Sequence, residues 1–330
     1  MIRIVFHFSI RIYHDGGKVS KKKRSILPVR QRLADVANSV IEELKASRGR
    51  STIDNYRTAL QSLLQFAGQD LGLENLNTQL VEGWQQWMKE KGVTLNTISC
   101  YMRSLRSIVR RMDIPNTRKN MFDSVFTGRT KTEKRSLSTS DIQKLSALPL
   151  PEESPLQFTR DLFLFCFYAL GMPFVDVAFL RKKQIVNGHI EYCRHKTHQP
   201  VRVKIEPAMQ HIINKYSIAD SPYVFPVLKD GTMAEYLSAR NSYNRRLRKL
   251  SSLAKLSRGL TSYVVRHSWA SMAYSSNVDL SVISKALGHT NTKTTMVYIR
   301  EIDDHRIDKA NHRLIAHLLR GGKSTEEEKL

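Results

Sequence analysis

Residues 287–300 read LGHTNTKTTMVYIR, and in this stretch the phenol of Tyr298 follows the imidazole of His289 by nine residues. A guanidinium stands upstream at Arg266, directly before His267. Together these side chains supply a nucleophile and two groups that can bind phosphate oxygens. Each of them alone would more often be structural. In a strongly basic chain, however, the set suggests attack on a DNA phosphodiester.

The composition favours a polyanionic partner. The 330 residues include 53 Lys and Arg against 30 Asp and Glu, a formal net charge of +23, which is far beyond what solubility requires. Neutralisation of phosphates by these cations would dominate the affinity and make binding fall steeply with salt. Charge alone leaves a ribosomal or other RNA-associated protein open. The length suffices for two domains of ordinary size.

The cysteines and the apolar runs bear on location. Cys100, Cys166 and Cys193 are scattered and odd in number, which argues against a disulfide framework and for a reducing cytoplasm. The longest apolar run, residues 162–170, is too short to cross a bilayer and is typical of a buried helix. Residues 1–12 alternate between apolar and more polar side chains, as in a half-buried strand.

Residues 33–112 carry the apolar period of helices. Ser51 and Asp54 predict a capping box at the start of one helix, and another helix is expected to begin near residues 94–96. The later helix bears a basic stripe away from its apolar face. The stripe consists of Arg103, Arg106 and Arg110. Such a stripe is usually a solvated face, but ahead of a nuclease-like domain we expect it to contact DNA.

The second half of the chain begins with another capping signal, Ser138 and Asp141. Two β-rich stretches, residues 184–192 and 201–205, then predict a hairpin. The residues that connect these strands include Lys196. A lone lysine at this place is usually a solvated turn residue, so its role depends on the motifs that follow.

The order Lys196, Arg266, His289 and Tyr298 resembles the motifs of the tyrosine recombinase (phage integrase) family, and the likeness over residues 30–318 is greatest to the integrases of mobile elements. It implies a mainly α fold with a small antiparallel β-sheet, in which a helical core-binding domain precedes a mixed α/β tyrosine recombinase catalytic domain. The expected segments are an N-terminal strand or arm remnant (1–29), a helical core-type DNA-binding domain (30–115), a linker (116–136), the catalytic domain (137–318) and a charged tail (319–330).

The resemblance also implies roles for these residues. Tyr298 would attack the scissile phosphate, Arg266 and His289 would bind its nonbridging oxygens, and Lys196 would protonate the leaving deoxyribose oxygen. Tyr263 stands where the family commonly has a histidine. A phenol with an ordinary pKa near ~10 is a poor base at neutral pH, so we expect this tyrosine to position the phosphate or merely to pack. Because His289 follows a glycine suited to a helix end, the string Leu287-Gly288-His289 taken alone could be only a helix C-cap.

One element of the family pattern is missing. Asp176 matches an acidic residue of the family's first motif, but Pro173 stands where the first catalytic arginine is expected. Loss of one donor to the developing phosphorane costs on the order of 10² to 10³ in rate, so an active enzyme should hold a substitute cation. We favour Arg194, because strand alternation would aim it to the same face as Lys196. Arg181 is the alternative.

The activity implied is DNA strand exchange by a site-specific recombinase or integrase, through a 3′-phosphotyrosyl intermediate. No metal or other cofactor is expected, because the covalent intermediate keeps the bond energy. The expected partners are double-stranded DNA, further copies of the chain in a tetramer on DNA, and accessory DNA-bending proteins, with no membrane and a place in the cytoplasm at the nucleoid. A type IB topoisomerase-like activity stays open, as does a sequence-specific DNA-binding protein that has lost cleavage.

Overall fold

The computed structural model describes residues 31–112, 120–130, 136–289, 291–297, 311–312 and 315–316. The chain divides into two compact units, Met1–Thr132 and Glu133–Leu330. Tyr298 lies outside the described residues, as do the segments predicted to be an N-terminal arm (1–29) and a charged tail (319–330).

The first unit is helical over the residues described in it. Its helices are α1 (Leu33–Leu44), α2 (Arg50–Ala67), α3 (Thr78–Glu90) and α4 (Leu95–Val109), and a short 3-10 turn covers Leu73–Asn75. The helical period places the apolar side chains of each helix on one face, and these faces meet in a single core. Trp84 is fully buried in this core, where its Nε1 donates a hydrogen bond to the Ser62 hydroxyl at 3.1 Å.

The two helix starts predicted in this unit have different outcomes. Thr94 caps α4 as expected, since its side chain accepts a hydrogen bond from the backbone N–H of Thr97. The capping box predicted for Ser51 and Asp54 is wrong, because α2 begins at Arg50 and Ser51 already lies within its first turn. The carboxylate of Asp54 instead lies 3.9 Å from the guanidinium of Arg50.

Part of the segment predicted to be a linker packs into the helical unit. The buried side chains are Met121, Phe122 and Val125. The Ser99 hydroxyl also donates to the backbone carbonyl of Gly128 at 2.6 Å, which ties this stretch to α4. Residues 120–130 therefore belong to the first unit, contrary to the linker prediction. The basic and polar residues of this stretch made its three buried apolar side chains difficult to recognise in the sequence.

The second unit combines helices with a small sheet, and it confirms the predicted fold class. Strands β1 (Ile185–Val186), β2 (His189–Cys193) and β3 (Pro200–Lys204) are antiparallel in that order. β2 and β3 form the predicted hairpin, which is paired from His189 opposite Lys204 to Cys193 opposite Pro200. The helices are α5 (Thr139–Ser146), α6 (Pro155–Tyr168), α7 (Phe174–Ala178), α8 (Pro207–Tyr216), α9 (Met233–Leu253), α10 (Val264–Ser275), α11 (Leu280–Ala286) and α12 (Thr292–Met296).

Helix α6 is the central element of this unit. It carries much of the apolar run at 162–170, and α8, α9 and α10 pack around it. Helix α5 packs on it as well, and the predicted capping box of Ser138 and Asp141 is present at the start of α5. The Asp141 carboxylate also accepts a hydrogen bond from the Ser257 hydroxyl at 2.7 Å. Within the part of the chain that the structure describes, no helix is both long enough and apolar enough to cross a membrane.

Candidate active site

Arg266 lies on α10 and is almost completely buried, with 2% of the residue exposed. The turn after α6 approaches it closely at Gly171, where φ is +69° and an added Cβ would lie 3.0 Å from the Cα of Arg266. Glycine is strongly favoured there, because a side chain would be strained at this positive φ and would crowd the backbone of Arg266. The carbonyl of Gly171 accepts a hydrogen bond from Nη1 of Arg266 at 3.2 Å. The turn that opens the first motif therefore helps to orient this guanidinium.

Helix α11 ends in a Schellman motif, so the C-cap predicted at Gly288 is present. The backbone N–H of Gly288 donates to the carbonyl of Lys285 at 2.9 Å, and the N–H of His289 donates to the carbonyl of Ser284 at 3.0 Å. Gly288 adopts the left-handed backbone, with φ of +60°, that this motif requires. The cap also fixes the direction in which the chain leaves the helix, and it thereby places His289.

The carbonyl of Leu287, at the same helix end, holds two guanidiniums. It accepts a hydrogen bond from Nη1 of Arg194 at 2.5 Å and another from Nη2 of Arg266. The C-terminal end of a helix carries partial negative charge, which favours cations there. Gly288 leaves room for this approach, because an added Cβ would lie 3.2 Å from Cγ of Arg194. One backbone oxygen therefore brings together arginines from the hairpin and from α10.

Asp176 on α7 is the counter-ion of this arginine pair. Its Oδ2 accepts from Nε of Arg194 at 3.1 Å, and its Oδ1 accepts from the backbone N–H of His195 at 2.9 Å. The two paired side chains are only 8% exposed for Arg194 and 1% exposed for Asp176. Burial raises the pKa of the Asp176 carboxyl, in opposition to the His195 N–H and the Arg194 guanidinium, which lower it. The first motif thus supplies the anion that holds Arg194, although Pro173 supplies no cation.

His289 is half-buried beside this pair. Its Nε2 lies 3.1 Å from Nη2 of Arg266, and its Nδ1 lies 2.9 Å from Oγ1 of Thr295. The pKa of His289 is lowered from its ordinary value of 6.5 to about 4, first by burial and then by the positive charges of Arg266, Arg194 and Lys196. The imidazole is therefore neutral at pH 7. Two buried guanidiniums face one carboxylate here, so an added anion would be stabilised.

Arg194 lies beside Arg266 as expected, but the prediction that strand alternation would aim it to the same face as Lys196 is wrong. β2 ends at Cys193, so Arg194 and Lys196 lie in the connecting segment, where strand alternation does not apply. Arg194 is buried, whereas Lys196 is exposed. The segment turns back at His198, which has φ of +55° and donates its backbone N–H to the carbonyl of Arg194. The charge of Lys196 nevertheless reaches the imidazole of His289, because it lowers that pKa.

Two other predicted site residues occupy different surroundings. Tyr263 stands before α10 with 54% of the residue exposed, and its ring meets the ring of His267 edge-on at 5.0 Å. Packing is thus one role that the structure assigns to Tyr263. The guanidinium of Arg181 lies 5.7 Å from the ring centroid of Tyr223. Of the two proposed substitute cations, Arg194 is the one that shares a backbone acceptor with Arg266.

The predicted basic stripe lies on α4, away from the core of the first unit. The apolar face of this segment, including Ile98, Met102 and Leu105, is fully buried. The arginines line a shallow groove of about 610 Å³. Its lining residues are Arg103, Arg106, Ser107, Arg110 and Arg111. Four of its five lining residues are arginines, and this positive charge suits the phosphates of a nucleic acid.

Three contributors to the site were not predicted from the sequence. Gly171 has no side chain, the contribution of Leu287 is a backbone carbonyl, and Thr295 is one of several threonines in residues 290–295. A glycine followed by proline two residues later, directly after an apolar helix, was the available signal for the first. Among the described residues, no group of three or more His, Cys, Asp or Glu side chains is placed to hold a metal ion.

Comparison with known proteins identifies the family of the chain. Residues 135–305 match the phage integrase family, and residues 32–111 match the phage integrase SAM-like domain. The tyrosine recombinase XerD of Agrobacterium fabrum (strain C58 / ATCC 33970) is 23% identical over 301 residues, which cover 81% of this chain and 89% of that protein.

Two solved structures share the fold. A lambda integrase tetramer bound to a Holliday junction has a TM-score of 0.63 at 15% identity, over 84% of this chain and 80% of that one. The Tn1549 transposon integrase in complex with transposon right end DNA has a TM-score of 0.61 at 16% identity, over 85% and 99%. The chain belongs to the phage integrase family and is a tyrosine site-specific recombinase.

The buried ion pair leads to a prediction about stability. Asp176→Asn leaves the charge of Arg194 buried without its counter-ion, so we expect the free energy of unfolding to fall by about 3–5 kcal/mol. Urea unfolding followed by circular dichroism measures this change. The matched control is Glu191→Gln, which breaks the exposed pair with Arg202 and should cost about 0–1 kcal/mol. Equal losses in the two variants would contradict the assignment.

Proposed function

We propose that the chain breaks and rejoins DNA by attack of the Tyr298 phenol on the scissile phosphodiester. The phenol oxygen gives up its proton to the surrounding water and bonds to phosphorus, the bond from phosphorus to the 5′ oxygen breaks, and that oxygen takes up a proton from Lys196 and leaves as a 5′-hydroxyl. A 3′-phosphotyrosyl enzyme remains. Attack by the 5′-hydroxyl of a partner strand runs the same step backwards, so the chemistry consumes neither ATP nor any other high-energy compound.

The observation that carries this proposal is the convergence of Arg194 and Arg266 on the carbonyl of Leu287, beside neutral His289. A planar guanidinium can donate two parallel hydrogen bonds to phosphate oxygens. Because the two buried guanidiniums are already oriented, they need little rearrangement as negative charge develops on the phosphorane. The site has one carboxylate against these two cations, so the phosphate supplies the missing negative charge.

Within this mechanism Arg194 takes the place of the arginine that Pro173 cannot provide. Asp176 keeps its guanidinium oriented from the side opposite Leu287, since the carboxylate accepts from Nε and the carbonyl accepts from Nη1. Lys196, in the same connecting segment, protonates the leaving 5′ oxygen. Tyr263 is assigned a positioning role near the phosphate at most, because its phenol is a poor base.

We further infer that double-stranded DNA is the substrate and that Arg103, Arg106 and Arg110 bind its phosphates. The solved relatives support this, because the lambda integrase is bound to a Holliday junction as a tetramer and the Tn1549 integrase is bound to transposon end DNA. Strand exchange between two duplexes requires four cleaving protomers, so we propose a tetramer on DNA. Accessory DNA-bending proteins and a place at the nucleoid belong to the same proposal.

The first test concerns the nucleophile. Tyr298→Phe should bind DNA as the wild type does but form no covalent adduct, because only the attacking oxygen is removed. The adduct is trapped on a nicked duplex that carries the attachment site, in buffer with excess chelator. An adduct formed by the phenylalanine variant would refute the assignment of Tyr298. No adduct from the wild type would indicate a DNA-binding protein without cleavage.

The second test concerns the substitute cation. Arg194→Ala should lower the rate of adduct formation by about 10²–10³-fold, whereas Arg181→Ala should leave it unchanged. Arg194→Lys keeps a cation opposite Asp176 and so separates loss of folding from loss of the planar fork. It should fold, bind DNA and still cleave slowly. Wild-type cleavage by both alanine variants would show that the site works with one arginine.

The third test concerns the groove on α4. Replacing Arg106 and Arg110 together by Gln should lower the slope of log affinity against log salt by about 2, if each contacts one phosphate. Arg32→Gln with Arg202→Gln removes the same charge from guanidiniums that are paired with carboxylates, and this control should change the slope little. Equal changes in both pairs would point to overall charge rather than to the groove.

A further inference from the structure

His289 is hydrogen-bonded through both of its ring nitrogens, and its partners lie on two different helices. Arg266 on α10 approaches Nε2 at 3.1 Å, and Thr295 on α12 approaches Nδ1 at 2.9 Å. Thr295 is completely buried. Its hydroxyl is therefore held in one place by the packing around it rather than sampling solvent.

The chemistry of these partners fixes the position of the imidazole proton. A guanidinium has only donors, so Nε2 must accept from Arg266 and cannot carry the proton. A neutral imidazole has one proton, which therefore lies on Nδ1 and is donated to Oγ1 of Thr295. The acceptor on Thr295 thus selects the tautomer in which the lone pair of Nε2 accepts from the arginine.

We propose that Thr295 is a positioning residue for the reaction: its hydroxyl holds His289 in the Nδ1-protonated form and directs Nε2 toward the phosphate position. The inference rests on the proposed function, in which His289 contacts the scissile phosphate. A hydrogen-bond partner of this kind sets both ring orientation and tautomer; at metal-binding histidines its loss typically costs about 10- to 100-fold in affinity or activity, and we expect a loss of that order here.

The same hydrogen bond serves the imidazole in both of its charge states. When a phosphate engages the donors of Arg266, Nε2 of His289 is released from that guanidinium and can take up a proton. Nδ1 keeps its own proton throughout and continues to donate to Thr295. The ring therefore changes from acceptor to donor at Nε2 without rotating, which avoids a reorganisation cost during the reaction.

Thr295 also links this ring to the segment that carries the nucleophile. It stands three residues before Tyr298 in the sequence and lies in α12, which packs against α11. The hydrogen bond from His289 therefore anchors the segment that leads to Tyr298 onto a proposed phosphate ligand.

The experiment compares three variants of the full chain. Thr295→Val removes the hydroxyl and keeps the shape of the side chain, and Thr295→Ser keeps the hydroxyl and removes the methyl group. Thr159→Val is the matched control, because Thr159 is also completely buried on a helix and its hydroxyl donates to the carbonyl of Pro155 at 2.7 Å. All three are compared with the wild type in DNA affinity, urea stability and the single-turnover rate of adduct formation on the nicked duplex.

Thr295→Val should lose about 10- to 100-fold in the cleavage rate, with DNA affinity unchanged. Thr295→Ser should restore most of that rate, and Thr159→Val should match the wild type. Equal defects in the serine and valine variants would overturn the proposal, because they would assign the effect to the methyl group. Unchanged cleavage by Thr295→Val, or an equal loss in Thr159→Val, would overturn it as well.

A second readout is independent of cleavage. Long-range proton–nitrogen NMR spectra of histidine-labelled protein report the tautomer, and the His289 signals are assigned by their loss in His289→Gln. We expect the Nδ1-protonated form in the wild type and in Thr295→Ser, and a shift toward the Nε2-protonated form in Thr295→Val. An Nε2-protonated ring in the wild type would refute the proposal. Absence of any wild-type adduct would instead refute the proposed function, while the spectra would still decide the role of Thr295.

Discussion

The carbonyl oxygen of Leu287 accepts hydrogen bonds from two buried guanidiniums, and the rest of the site is arranged around this contact. Such an acceptor exists only because α11 ends there, since the last carbonyls of a helix have no partner within the helix. The left-handed glycine that ends the helix also leaves space for an arginine. Helix termination, cation binding and the placement of His289 are thus consequences of one local conformation.

Two cations buried so close together require compensation. Asp176 provides it for Arg194, and the negative end of α11 provides it for both arginines. In the free protein this leaves the cluster short of one negative charge, a state that is costly in a low-dielectric surrounding and that a phosphate relieves. Under the proposed function, Arg194 substitutes for the arginine that Pro173 lacks: the first motif keeps the carboxylate of Asp176, and the segment between β2 and β3 carries the cation that pairs with it.

The sequence predicts those parts of the structure in which the signal is local and periodic. The buried face of α4, the β2–β3 hairpin and the capping box at Ser138 all follow from residue spacing. The box expected at Ser51 failed because a helix start depends on the preceding backbone, which here is extended at Gly49. The three apolar residues of the expected linker were too few to stand out among basic neighbours.

The candidate site also divides into features that the sequence predicts and features that it does not. The order of Lys196, Arg266, His289 and Tyr298 is visible in the chain, because each is a chemically distinctive side chain at a familiar spacing. The contact of Arg194 with Leu287 joins residues 93 positions apart in the sequence. Its acceptor is a backbone oxygen, which cannot be predicted from the residue type. The role of Thr295 could not be predicted from the sequence either, because threonines in and around short helices have ordinary structural uses.

The connecting segment between β2 and β3 carries a further consequence. Arg194, which completes the anion pocket, and Lys196, the proposed acid for the leaving group, are separated by a single residue, and the backbone N–H between them is held by Asp176. The segment between β2 and β3 thereby carries the residues proposed for two functions, charge stabilisation and proton delivery. Because Asp176 holds this segment at both the Arg194 side chain and the His195 N–H, a change that broke these contacts would displace Arg194 and Lys196 together, and both proposed functions would be lost as a unit.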